Sequence, residues 1–340
     1  MPKIQKKLNF MEVCGTHTMC IAEFGLKKLF PENVNMLSGP GCPVCVTPIE
    51  DIDRSVELSK FKDVIITTFG DMIRVPGSVS SLEIERSKGA DVRIVYSPLD
   101  AVEIAKENPK KEIVFIGVGF ETTSPAIAST LIIAKKKGIK NFSVLPMFKT
   151  IPNALKTILD TKNKKIDGFL LPGHVSTIIG VTPYEFIPEK YKIPCVIGGF
   201  EPKDILRSVD MLISQISDGK PSVEIQYTRA VSKEGNKEAR KILSQVFIQT
   251  DSNWRAIGNI PMSGLTFNSS YLGFDATKRF DVKLPKAKEP RGCKCGEVLL
   301  GLKKPKQCGL FGKRCVPSDP VGPCMVSSEG SCAAVYKYEK

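Results

Sequence analysis

Between Asn9 and Asp218 short runs rich in β-branched residues alternate with amphipathic stretches, and few folds accept that alternation. The runs predict strands at Asn9–Val13, Asn33–Leu37, Asp63–Thr68, Val92–Tyr96, Glu112–Gly117, Phe142–Leu145, Asp167–Leu171 and Pro194–Ile197. The stretches between them predict helices, among them Thr16–Leu29, Pro48–Ser59, Thr123–Lys137 and Pro202–Asp218. Apolar strands separated by helices of about 10–15 residues indicate βαβ units in parallel sheets with right-handed connections. Two four-stranded lobes suit these strands better than one wide sheet. Gly119-Phe120-Glu121 and Gly199-Phe200-Glu201 each follow a strand, an echo that fits two similar units. The expected fold class is α/β, with two similar parallel-sheet lobes over residues 1–108 and 109–217 and a small cysteine-rich domain over 218–340.

The character of the chain changes after Ser217. Residues 221–247 still read as a strand and a helix, but from Asp251 the sequence is rich in Gly, Pro and Cys with few periodic segments. Such a segment needs something other than a large apolar core to hold it. The composition excludes several classes. No apolar run approaches the roughly 18 residues of a membrane span. Met1–Phe10 is basic but has no apolar core or small-residue cleavage site, so no secretory signal is expected and the cytoplasm is the expected location. The formal net charge is +13. The lysines are scattered, as at Lys135-Lys136-Lys137, Lys162–Lys165 and Lys303-Lys304, without aromatic interleaving or a nucleic-acid module. A solvated surface that helps docking to an acidic protein is the expectation, not nucleic-acid binding. Eleven cysteines in a reducing compartment point to metal or redox chemistry.

In parallel α/β sheets, sites form beyond the carboxyl ends of strands. The loops there hold Cys14-Gly15-Thr16-His17, Gly39-Pro40-Gly41-Cys42-Pro43-Val44-Cys45, Thr67-Thr68-Phe69-Gly70-Asp71, Gly117-Val118-Gly119-Phe120-Glu121-Thr122-Thr123 and Pro172-Gly173-His174-Val175-Ser176. Cys14 falls where a strand gives way to a helix, and a helix N-terminus lowers a thiol's pKa. His17, one turn on, suits a proton acceptor or a second ligand, against the plainer reading of a capping histidine. Cys42-Pro43-Val44-Cys45 is a C-x-x-C at a helix start, which fits a redox pair, half of a zinc knuckle or a structural pair. His17 and His174 are the only histidines, and Asp71 and Glu121 add carboxylates on the same face. Gly117-x-Gly119 is too incomplete for a dinucleotide fingerprint, and no Walker-type loop exists.

Cys293, Cys295, Cys308, Cys315, Cys324 and Cys332 crowd the last fifty residues. Zinc ribbons present paired C-x-x-C knuckles, and this segment has none. Thiolates spread singly through an irregular loop suit a [4Fe–4S] cluster, with zinc as the alternative. Spacing alone leaves open which four of the six bind.

Taken with Gly322-Pro323-Cys324-Met325-Val326-Ser327-Ser328-Glu329-Gly330, these motifs resemble the [NiFe]-hydrogenase maturation factor family HypD from about Phe10 to the C-terminus. The resemblance implies a metallocentre-assembly scaffold with redox activity, not a conventional turnover enzyme. It would hold an Fe(CN)2(CO) unit with the partner HypC, receive cyanide from HypE, and serve the hydrogenase large subunit indirectly through HypC. It implies that Cys14 is the iron ligand and that Cys42 and Cys45 are a redox-active pair. His17, Asp71, His174 and Glu329 would line or support the site. The family spacing C-x14-C-x6-C-x16-C is met by Cys293, Cys308, Cys315 and Cys332, which would hold the [4Fe–4S] cluster. Cys20, Cys195, Cys295 and Cys324 are left without a role. The alternative function is a cluster-linked thiol–disulfide reductase, in which the Cys14 motif has no obvious task.

Overall fold

The computed structural model describes residues 6–161 and 166–339; the Lys162–Lys165 turn lies outside the described residues. Among the described residues nine strands form two parallel sheets and two more form a hairpin. They are β1 (Leu8–Glu12), β2 (Val34–Ser38), β3 (Val64–Thr68), β4 (Val92–Ile94), β5 (Glu112–Gly119), β6 (Phe142–Phe148), β7 (Gly168–Pro172), β8 (Cys195–Gly198), β9 (Val223–Ile225), β10 (Phe247–Trp254) and β11 (Gly258–Phe267). One sheet has the order β2-β1-β7-β8-β9 and the other β4-β3-β5-β6. Every pairing in both is parallel. Strands such as β3 and β7 are buried at every residue, as a sheet covered by helices on both faces requires.

The two parallel-sheet lobes are thus present, but they do not follow one another along the chain. β1 pairs with β7, Phe10 opposite Gly168, so the first sheet is begun by residues 8–38 and completed by 168–225. The second sheet is inserted between β2 and β7. The expected boundary at 108/109 therefore cuts through the inserted sheet. Local periodicity announces each βαβ unit but says nothing of which strand its edge will pair with.

Three local readings also shift. The helix expected over Thr16–Leu29 ends at Glu23, because Gly25 takes φ +61 and the chain resumes as a 3-10 turn at Leu26–Lys28. The strand expected to reach Tyr96 stops at Ile94. The segment after Asp251, expected to be irregular, opens with the antiparallel hairpin of β10 and β11. A register shift between Thr250 and Ser252 breaks its alternation, so its period was not readable.

The C-terminal part is divided in its loyalties. The helix Lys237–Val246 packs on the helix Ser124–Lys136, and Thr150 donates its N–H to Ser263 at 2.8 Å, which fixes the hairpin to the inserted lobe. The helix Ser331–Tyr338 instead packs on the helix Gly15–Glu23 that follows β1, and the turn Pro323–Val326 packs on Pro43–Val46. The cysteine-rich segment is thereby laid against the two cysteine loops of the first sheet.

Candidate functional site

Cys14 caps the helix Gly15–Glu23 in an extended conformation, φ −149 and ψ 127, directly beyond β1. Its side chain is 6% exposed. Cys42 caps the short helix Pro43–Val46 beyond β2, with Pro43 at the first helical position, and forms a disulfide with Cys45. Both of these sulfurs are buried. The two loops are bolted together: the Gly15 N–H donates to the Gly41 carbonyl at 3.1 Å. A Cβ at Gly41 would collide with the backbone of Val13 and Cys14, so only glycine allows this approach.

The C-terminal segment closes the site from a third side. A Cβ at Gly15 would collide with Glu329, whose Oε1 accepts the Thr16 hydroxyl at 3.0 Å. Asp71, in the turn after β3, accepts the Ser328 N–H at 2.9 Å and the Ser328 and Ser327 hydroxyls at 3.0 and 3.1 Å. Asp71 thus ties the Ser327–Glu329 turn to the inserted lobe. Both histidines are drawn to one phenylalanine: Phe200 stacks on His17 at 4.8 Å and on His174 at 3.7 Å. His17 is fully buried and donates Nε2–H to the Gly199 carbonyl at 2.9 Å, which leaves Nδ1 as an acceptor without a partner among the described residues. His174 is exposed.

The electrostatics differ from the sequence expectation at Cys14. A helix N-terminus should lower a thiol's pKa, yet burial, with the Glu329 charge adding to it, pushes this one up to about 12. The Thr16 side chain and the N–H groups of Thr16 and His17 oppose the rise without reversing it. Desolvation outweighs the end of one short helix. His17 is held down to about 4 by burial and is neutral at physiological pH. Burial also pushes Glu121 up to about 7 and raises Glu329. Glu121 is spent on structure, its Oε1 accepting the Ile151 N–H at 2.9 Å.

The late cysteines gather around one loop. Cys308 Sγ lies 3.8 Å from the Gly292 carbonyl, and Cys315 Sγ accepts the Val321 N–H at 3.4 Å. A Cβ at Gly322 would stand 2.7 Å from Cys293 Sγ and 3.0 Å from Cys295 Sγ. Cys295 Sγ accepts the Cys324 N–H at 3.4 Å. Hydrogen bonds among Cys295, Cys324 and Cys332 lower the pKa of the Cys332 thiol and raise that of Cys324. Among the described residues no three of these groups converge on a single point as one ion would require. Cys45 Sγ lies 3.9 Å from the carbonyl oxygen of Pro323, the residue before Cys324. The two cysteine groups thus meet at the Pro323–Cys324 turn, a contact that spacing left open.

Over residues 1–339 the chain matches the model of the family described as HypD, the hydrogenase formation hypA family. It is 45% identical to hydrogenase maturation factor HypD2 of Bradyrhizobium diazoefficiens, over 98% of this chain and 90% of that one. It is 46% identical to hydrogenase maturation factor HypD of Escherichia coli K12, over 99% and 90%, and 44% identical to that of Rhodobacter capsulatus, over 98% and 90%. The chain belongs to the HypD family. It is a hydrogenase maturation factor of α/β architecture, and among the described residues no helix is long and apolar enough to cross a membrane.

Three residues in this HypD-family chain escaped the sequence reading. Cys295 and Cys324 had no role by the family spacing, yet Cys295 Sγ accepts the Cys324 N–H and the carbonyl of Pro323, next to Cys324, lies 3.9 Å from Cys45 Sγ. Glu12 read as an ordinary strand residue, though a lone acid in Asn9–Val13 at the strand's carboxyl end was a signal. Its Oε1 accepts the Thr18 hydroxyl at 2.6 Å and its Oε2 the Cys14 N–H at 3.4 Å, and it lines a cavity of about 260 Å³ with Lys27 and Lys303. Burial pushes its carboxyl up to about 8. The folded state therefore keeps a proton that the unfolded chain gives up near pH 4.5, and stability present below that pH is lost as pH rises toward 8. The loss expected from this group is up to about 4 kcal/mol. Glu12→Gln is expected to remove most of that slope, read from urea unfolding at pH 5.5 and 8; an unchanged slope would contradict it.

Proposed function

We propose that this chain is a cytoplasmic scaffold on which the Fe(CN)2(CO) unit of a [NiFe]-hydrogenase is assembled. It would act with a HypC-type partner, taking cyanide from a HypE-type carrier that holds it as a thiocyanate, and serve the large subunit through HypC. The observation that carries the reading is the 3.1 Å hydrogen bond joining Gly15 to Gly41. It sets one sulfur able to hold iron against a pair of sulfurs able to exchange electrons. Cys14 binds the cargo iron as a thiolate, a soft ligand suited to a metal that carries cyanide and CO. Iron displaces the thiol proton, so the high pKa of the free thiol keeps Cys14 unreactive until metal arrives. Neutral His17 offers its free Nδ1 as an acceptor, and Glu329 and Asp71 hold the C-terminal turn over the site.

Cyanide release from a thiocyanate consumes two electrons, and a Cys42–Cys45 dithiol supplies them. The carrier's S–CN bond breaks, the carrier leaves as a thiol and cyanide as HCN, which loses its proton on binding iron. The two thiols close to the disulfide found here.

A resident [4Fe–4S] cluster would be held by Cys293, Cys308, Cys315 and Cys332. The donor set supports it: thiols spread around Gly292 and Gly322 suit a cluster, which takes one thiolate per iron, better than a single tetrahedral zinc. When bound, such a cluster supplies electrons singly. Cys295 and Cys324, which touch one another, and Pro323, whose carbonyl lies 3.9 Å from Cys45 Sγ, would offer a route from it to the disulfide. The same thiol array would serve a cluster-linked thiol–disulfide reductase, but that leaves Cys14 without a task. The test is anaerobic infrared spectroscopy of the chain co-purified with HypC. Cyanide and CO stretches are expected. Iron without those bands, together with reduction of a thioredoxin-like partner, would favour the reductase; zinc without iron would overturn both.

A further inference from the structure

Arg255 has no part in the reading above. It follows Trp254 at the end of β10, is 5% exposed, and its Nε, Nη1 and Nη2 have no hydrogen-bond partner among the described residues. Glu289 Oε1 lies 3.2 Å from Nε without hydrogen-bond geometry, and that carboxylate is 58% exposed, so solvent screens it. A guanidinium stays charged at any physiological pH and carries five N–H donors. Burying one with no hydrogen bond, and with only a solvent-exposed carboxylate for a counter-charge, is among the costlier arrangements a fold can hold, unless further negative charge is brought to it.

The surroundings say where that charge belongs. Arg255 lines a cavity of about 270 Å³ whose other walls include Cys293, Cys295, Gly296 and Pro323. Its backbone N–H donates to the Val46 carbonyl at 2.7 Å, next to Cys45, so it stands between the disulfide and the cysteine loop. Trp254 fixes it there, its indole N–H donating to the Ser263 hydroxyl at 2.8 Å and its ring stacking on Phe120 at 6.0 Å.

We propose that Arg255 is the fixed counter-cation of the cysteine centre, easing the entry of an electron into the thiolate-bound group assembled there. The inference rests on the iron–sulfur reading of that centre. Adding an electron makes such a group more negative, and a buried cation beside it stabilises the reduced form more than the oxidised one. No bond changes; the electron comes from a low-potential one-electron donor.

The test uses the full chain reconstituted anaerobically with iron and sulfide, as wild type, Arg255→Met, Arg255→Lys and Glu289→Lys. Iron and sulfide content are measured first, then the reduction midpoint by potentiometric titration followed by electron paramagnetic resonance. Arg255→Met is expected to shift the reduction equilibrium at least tenfold toward the oxidised form, about 59 mV for one electron. Arg255→Lys should stay within threefold of wild type, and Glu289→Lys, which adds a cation at the open side of the cavity, should move the equilibrium the other way. A filled centre whose midpoint moves in neither Arg255→Met nor Glu289→Lys overturns the inference alone. If Arg255→Met does not fold, Glu289→Lys decides. A wild-type chain that takes up no iron and sulfide overturns the underlying reading instead.

Discussion

Cys14→Ala is expected to abolish the cyanide and CO infrared bands of the complex purified with HypC and to remove about one iron per chain, while leaving visible iron–sulfur absorbance in place. The expectation follows from what surrounds the sulfur. Its polar partners are the backbone N–H groups of Thr16 and His17, donors that stabilise a thiolate but cannot themselves hold a metal. His17 Nε2 is committed to Gly199, and Glu329 is committed to Thr16. With the thiolate gone, and with Cys42 and Cys45 joined in the disulfide, no anionic soft donor replaces it on that face. Loss of a supporting contact to a metal ligand costs 10- to 100-fold in affinity, and loss of the ligand itself is expected to cost more than about 100-fold. The fold should survive, because alanine fits where a 6%-exposed cysteine stood and the Gly15–Gly41 bond is made by backbone. Full iron content with undiminished bands in the variant would remove Cys14 from the site.

Much of this arrangement was legible before any coordinates. β-branched runs and their spacing gave parallel sheets, because a strand buried on both faces must be largely apolar, as Gly168–Pro172 is and as Val64–Thr68 is up to its two buried threonines. The loops bearing Cys14, Cys42 and His174 could be named because each follows a strand that the sequence predicts. What stayed hidden was non-local. Nothing in the residues of β1 says that its neighbour will be β7 rather than β3, and the insertion of one lobe inside the other follows from that pairing. The sign of the shift at Cys14 was misjudged for a related reason: a helix N-terminus is visible in a sequence, but the packing of Glu329 and Gly41 that desolvates the thiol is not. Arg255 and Glu12 were missed because a lone charge is ordinarily read as solvent-facing, and only burial shows otherwise.

The largest effect expected on electron flow is at a residue that spacing left without a job. Cys324→Ser should slow reduction of the Cys42–Cys45 disulfide by a low-potential donor more than about 100-fold, with iron and sulfide content unchanged. Cys324 is fully buried, its N–H donates to Cys295 Sγ at 3.4 Å, and the carbonyl of Pro323 before it lies 3.9 Å from Cys45 Sγ. It is held there by Gly330, where a Cβ would strike the Cys324 backbone, and by the packing of Pro323–Val326 on Pro43–Val46. Two-electron transfer between sulfurs proceeds through a mixed disulfide. The Cys324 thiol would attack the Cys42–Cys45 disulfide, and the neighbouring Cys295 thiol would resolve it to a Cys295–Cys324 disulfide, with both Cys42 and Cys45 released as thiols. The donor's electrons would then reduce the new disulfide. A hydroxyl cannot form the mixed disulfide, so serine preserves the shape and removes the step. Serine leaves intact the spacing set Cys293, Cys308, Cys315 and Cys332, so iron content separates a relay from a ligand. Trapping free thiols by alkylation at timed intervals and reading Cys42 and Cys45 by mass spectrometry gives the rate. A phosphine reductant, which needs no neighbouring thiol, should reduce variant and wild type within about twofold of each other, since attack at the disulfide itself is unaltered. If the donor-driven rate is unchanged, electrons reach the disulfide by another route; if iron is lost, Cys324 is a ligand and the assignment by spacing gives way.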